Sequence, residues 1–225
     1  MKNSKNKLIL KGFLFTVLFG TIILLKAQNV EFGIRFMPAF TKFDINTSTG
    51  GRIVGDVDLG YGVGAHLGYN FSDHVGIQAE LIYSSFAQKF KESDIEHNIN
   101  LKYVNIPLLL ALNTSKSKAF NLGIVAGPQI GLSVGSKLLS SRVESNGLVP
   151  VLAVKKGDLG FAYGAGVDFG LNAESTVRLG LGFRGVYGLI DISDNSSSVA
   201  NNSYYILDKT KIKVYSGYLG ISFLF

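Results

Sequence analysis

Residues 211–225 read KIKVYSGYLGISFLF. Counting back from Phe225 in steps of two gives Phe223, Ile221, Leu219, Gly217, Tyr215 and Lys213. The other parity holds Leu224, Ser222, Gly220, Tyr218, Ser216 and Val214. Successive side chains of a strand point to opposite faces. One face is therefore aromatic and aliphatic, and the other small and mostly polar. From Tyr215 to Phe225 the apolar face runs about 33 Å at about 3.3 Å per residue. Tilted by about 40°, it covers about 25 Å, the height of the lipid-facing band on a transmembrane β-barrel. Lys213 falls just above that band, at headgroup level.

The same two-residue alternation recurs upstream over residues 30–45, 58–71, 75–90, 99–112, 119–135, 158–171 and 176–189. In the stretch 158–171, for example, Leu159, Phe161, Tyr163, Ala165, Val167, Phe169 and Leu171 oppose Asp158, Gly160, Ala162, Gly164, Gly166, Asp168 and Gly170. With the last stretch this makes eight strands. Residues 46–57, 91–98, 136–157 and 190–210 read as long polar loops, the last as a mobile one. The connections after the second, fourth and sixth strands are short turns of about four to six residues. Short turns on one rim and long loops on the other predict an all-β fold. The expected architecture is an eight-stranded antiparallel up-and-down transmembrane β-barrel, the short turns periplasmic.

The N-terminus carries Lys2, Lys5, Lys7 and Lys11, then an uncharged, mainly apolar run from Gly12 to Leu25. That run is too short to span a bilayer as a helix and suits a secretory signal peptide, so residues 1–27 are expected to be removed. Residues 28–225 are then one barrel domain. Cleavage takes five lysines and no acid, leaving 17 basic residues against 16 acidic ones. The basic excess belongs to the leader, which removes the case for a nucleic-acid partner. The chain has no cysteine, so disulfides and thiolate metal sites are excluded.

Charge decides which face meets lipid. Arg178 and Arg184 share the glycine-rich face of their strand, and an arginine turned to the bilayer midplane costs about 2–4 kcal/mol. Arg35, Glu80 and Asp168 lie on the corresponding faces of theirs. The glycine and charged faces are expected inside, with these five residues forming a paired, hydrogen-bonded filling of the lumen. A soluble barrel would carry the opposite polarity. Rows of glycine inside make room for the few long side chains that remain.

No motif commits the chain to chemistry, so no cofactor and no enzymatic activity are expected. Gly180, Gly182 and Gly185 match a dinucleotide-binding spacing, but inside an alternating strand with no helix to follow. His66 reads as alone in the lumen, His74 sits in a turn and His97 in a loop, without metal-ligand spacing. A lipid-modifying enzyme would need a Ser–His–acid set near the outer rim; His97 with Glu92, Ser93 or Glu96 is the available one. Pro107 and Pro128 lie within strands and suggest local bulges. A narrow solute channel is the other alternative.

The final strand resembles the terminal strand of bacterial outer-membrane proteins. That resemblance implies that Tyr215, Leu219, Ile221, Phe223 and Phe225 form the signal read by the outer-membrane assembly machinery. Four internal stretches, YVNIPLLL (103–110), GPQIGLSV (127–134), DLGFAYGAG (158–166) and RGVYGL (184–189), resemble in order the PorT-like outer-membrane β-barrel family of bacteroidete bacteria. Asn105 stands where that family usually has glutamate. The resemblance implies an outer-membrane location, contact with outer-membrane lipids and lipopolysaccharide, and a structural, adhesive or secretion-accessory role. Secretion-system components are the partners it would add.

Overall fold

The computed structural model describes residues 29–46, 52–53, 56–92, 95–140, 149–194, 203–205, 207 and 209–225. The expected leader, 1–27, lies outside them. Eight long strands form the wall: β1 (Val30–Asn46), β2 (Asp56–Asn70), β3 (Val75–Glu92), β4 (Ile95–Asn113), β5 (Phe120–Ser140), β6 (Gly157–Gly170), β7 (Val177–Gly188) and β8 (Lys209–Leu224). Each pairs antiparallel with its neighbours in sequence. β8 returns to β1, in register from Glu31↔Leu224 to Asn46↔Lys209, and the sheet closes. Closure removes the unpaired edges that hydrocarbon cannot hydrate.

The alternation orients as the charges require. Phe32, Ile34, Phe36 and Phe40 of β1 project outward, with Ile34 56% exposed, while Arg178 and Arg184 inside are 0% and 2% exposed. Tyr215, Leu219, Ile221, Phe223 and Phe225 all lie on the outer face. Cross-strand aromatics knit that face: Phe183 stacks on Tyr215 with ring centroids 6.3 Å apart, and Phe120 meets Phe169 at 5.5 Å.

Three short turns, 71–74, 114–119 and 171–176, share one rim, the one expected to be periplasmic, with the start of β1 and the end of β8. The opposite rim differs from expectation. Residues 91–92 and 95–98, expected in a loop, belong to strands: β3 and β4 continue pairing to Glu92↔Ile95. β5 likewise runs on to Ser140. The reason is visible on β4, where polarity inverts without a change of parity. Below Tyr103 the outward residues are Ile106, Leu108 and Leu110; above it the outward side carries Lys102, while Ile99 and Leu101 turn inward and are buried. Above the headgroups the outside is water, so the wall becomes an ordinary soluble barrel with a greasy inside.

Within the 190–210 segment, the described residues make specific contacts with the barrel. Ile192 and Leu207 are buried, and Val154 bridges Ser193. A parallel pair, Val149–Val151 with Ser203–Tyr205, joins the β5–β6 and β7–β8 connections. The prolines produce no bulge: Pro107 and Pro128 keep register with Gln129 and Phe161, and the register shifts fall at Val57/Tyr61 and Lys102/Tyr103.

Candidate functional site in the barrel lumen

The lumen is filled in layers. At mid-height Glu80 of β3 receives both guanidinium groups that the strand faces deliver. Arg35 Nη1 donates to Glu80 Oε1 at 2.6 Å; Arg184 donates to Oε1 and Oε2 at 2.9 and 3.0 Å. Gln78, two residues along the same face of β3, donates its Nε2 to Glu80 Oε1 and accepts from Arg35 Nη2 at 3.4 Å. Arg35 also lies over the Tyr218 ring, 4.9 Å from its centroid. Tyr218 explains two of the inward glycines. A Cβ on Gly166 would fall 1.9 Å from its hydroxyl, and one on Gly182 would fall 2.6 Å from its ring.

Toward the periplasm the β4–β5 turn sends Lys116 up into the barrel. Its Nζ donates to Glu31 Oε2 at 2.9 Å and Asp168 Oδ2 at 3.3 Å. Burial works against the charge of Lys116, but the Glu31 and Asp168 carboxylates outweigh it and hold the pKa above the ordinary lysine value. Asn121 donates to Asp168 and to Asn113, and accepts from the Ser115 amide. Among the described residues Arg178 meets no carboxylate. Its Nη1 donates to the carbonyls of Lys116, Lys118 and Ser175, and its Nη2 to that of Asp168. It thereby ties two periplasmic turns across the base of the barrel.

Above the Glu80 layer Asn105 donates to Ser84 Oγ at 3.0 Å and accepts from Gln129 at 3.3 Å. The position where the resembling family carries a carboxylate is thus a neutral polar bridge. Beyond it comes an apolar throat: Ala39, Phe86, Ile99, Leu101, Tyr103, Ile212 and Val214 from the wall, closed by Ile192 and Leu207 from the β7–β8 connection. Among the described residues a cavity of about 30 Å³ lies on either side of the Glu80 layer, and Arg184 lines both.

Of the five residues expected to fill the lumen, Arg35, Glu80 and Arg184 meet directly, while Asp168 and Arg178 belong to the separate periplasmic layer. His66 is not alone: its Nε2 lies 3.4 Å from Glu31 Oε1. Glu31 was legible as inward by parity, but Lys116 was not, because alternation says nothing of a turn residue that folds back inside. Among the described residues no group of three His, Cys, Asp or Glu could hold a metal ion. The set of His97, Glu92, Ser93 and Glu96 lies outside the residues whose side chains are described.

Comparison with known proteins agrees with this geometry. A family model described as "Outer membrane protein beta-barrel domain" matches residues 26–194. The chain belongs to that outer membrane β-barrel family. It is accordingly an outer-membrane protein. Among solved structures this family member is similar to the outer membrane protein OprG from Pseudomonas aeruginosa. The TM-score is 0.58 at 17% identity, covering 88% of this chain and 97% of that one. Looser likenesses are to Neisserial surface protein A (TM-score 0.47, 12% identity, 89% and 100% covered) and to Ail of Yersinia pestis (0.41, 16%, 88% and 99%). Among curated proteins none matches.

Proposed function

We propose that this barrel is a non-conducting, non-enzymatic outer-membrane scaffold that carries its binding specificity on the extracellular rim. The observation that carries the reading is the occlusion of the lumen at three heights: the turn bearing Lys116, the Arg35–Glu80–Arg184 layer, and the apolar throat. An eight-stranded barrel encloses about enough space for side chains to fill, and here long charged and aromatic chains fill it. The role is structural, adhesive or secretion-accessory, within a PorT-like branch of the family. Its partners are outer-membrane lipids and lipopolysaccharide, the assembly machinery acting through Tyr215, Leu219, Ile221, Phe223 and Phe225, and secretion-system components at the rim.

Purified refolded protein in planar bilayers tests the occlusion; the expected trace is flat, and steps on the nanosiemens scale would refute it. Mass spectrometry of lipid A from cells with and without the protein tests the absence of lipid chemistry. Co-purification from native outer membranes tests the secretion partnership.

A further inference from the structure

The buried polar atoms left without a partner sort by element along the barrel axis. Among the described residues those of the periplasmic half are nitrogens, His66 Nδ1, Asn70 Nδ2, Asn113 Nδ2 and Arg178 Nε, and Arg184 Nε joins them at mid-height. In the extracellular half they are oxygens: Thr41 Oγ1, Tyr103 Oη, Asp158 Oδ1 and Thr210 Oγ1. Three of the nitrogen-bearing side chains, Asn70, Asn113 and Arg184, line the cavity on the periplasmic side of the Glu80 layer. Asn70 is 6% exposed and Arg184 2%. The Asn113 amide is held in one orientation, because its Oδ1 accepts from Asn121 Nδ2 at 3.0 Å. Its Nδ2 is therefore a donor in want of an acceptor.

Charge points the same way. Among the described residues the mid-height layer and the lumen below it hold four cations, Arg35, Lys116, Arg178 and Arg184, against three carboxylates, Glu31, Glu80 and Asp168. Glu31 and Asp168 also line the cavity, but Lys116 bonds to both and Asn121 to Asp168. Glu80 is taken up by Arg35 and Arg184. The surplus positive charge is that of Arg178, which meets only carbonyl oxygens. Arg178 does not itself line the cavity, but it bonds the backbone carbonyls of two residues that do, Lys116 and Asp168. A buried surplus charge that close to unused N–H groups favours an anion over neutral solvent. The cavity of about 30 Å³ exceeds the roughly 10–15 Å³ that one water needs, and admits one small ion.

We propose that this cavity binds a single monovalent anion of chloride size, with Arg184 Nε, Asn113 Nδ2 and Asn70 Nδ2 as its donors. The ion completes the electrostatics of the periplasmic layer and is independent of any role carried by the extracellular rim.

The test is crystallisation of the intact folded protein from sodium bromide, with diffraction data collected at the bromine absorption edge. The expected result is one anomalous peak inside the barrel, within hydrogen-bond reach of Arg184 Nε and Asn113 Nδ2. The Asn113→Asp variant, which replaces a donor by a negative charge at nearly constant volume, is expected to lose that peak. Water density without anomalous signal in the native protein overturns the proposal, whether or not the variant folds. A peak that persists unchanged in a folded Asn113→Asp barrel overturns the donor assignment.

Discussion

Glu80 is the side chain on which the mid-lumen depends, because one carboxylate answers two guanidinium groups. Arg184 and Glu80 are almost fully enclosed, so their attraction is little screened. Glu80→Gln keeps the shape and removes the charge, leaving two buried cations uncompensated. Breaking a buried pair in this way costs about 3–5 kcal/mol. The expected outcome is a destabilisation of that size in urea unfolding from lipid vesicles, read as loss of the compact electrophoretic form. Replacing all three groups together, as Arg35→Met, Glu80→Leu and Arg184→Met, is expected to recover most of the loss, since no orphan charge remains. If Glu80→Gln is as stable as the native protein, the layer is decorative. Much of this was legible in the chain. Parity alone put Arg35, Glu80 and Arg184 inside, and bilayer energetics fixed the sign. What parity cannot give is height around a tilted, staggered barrel, and so it does not show that Asp168 and Arg178 bond in a layer apart from Arg35, Glu80 and Arg184.

At the scale of the element, the strands obey two solvents in turn. The run INLKYVNIPLLL (99–110) keeps one parity throughout, yet Ile99 and Leu101 face inward while Ile106, Leu108 and Leu110 face outward. That switch was present in the sequence, inside the stretch 99–112 expected to be a strand, and it marks where lipid ends. The β7–β8 connection follows from the same physics, because an apolar throat open to water recruits Ile192 and Leu207 as its cover. Asp191 fixes the cover in place. Its Oδ1 accepts from the amides of Ser193 at 3.0 Å and Thr210 at 2.8 Å, and from the Ser193 hydroxyl. Slight burial raises its pKa, but these hydrogen bonds and Lys155 outweigh that and hold it below the ordinary 3.8. A carboxyl depressed by folding stabilises the ordered form above its unfolded value, and the contribution is lost as pH falls through the folded one. Hydrogen exchange at the Ser193 and Thr210 amides is therefore expected to stay slow at neutral pH and to accelerate only below pH 3.8. In Asp191→Asn it is expected to be faster at neutral pH and to lose that acid dependence. An unchanged exchange profile in the variant would mean that the cover does not rely on Asp191.

Taken whole, the molecule is a lipid-facing shell around a core that holds three obstructions in series. Resistances in series add, so the largest one left standing sets the current. Emptying the mid-lumen with Arg35→Ala, Glu80→Ala and Arg184→Ala removes only one obstruction; the Lys116 turn and the apolar throat still stand. That triple variant is expected to remain silent in planar bilayers. Opening the throat with Ile99→Ser and Leu101→Ser, on an otherwise native chain, is expected to be silent too, because the Glu80 layer keeps its four donor contacts. Conductance is expected only when the mid-lumen, the throat and the anchoring of the Lys116 turn are all released, the last through Lys116→Ala with Arg178→Ala. Arg178 belongs in that set because it bonds the carbonyls of Lys116 and Lys118 within the turn and that of Ser175 in the neighbouring one. Each variant is first checked for the heat-sensitive electrophoretic shift of a folded barrel, so that silence is not mistaken for failed insertion. Conductance in either partial variant would place the whole barrier in one layer, and the lumen would then be a gated pore rather than a filled core.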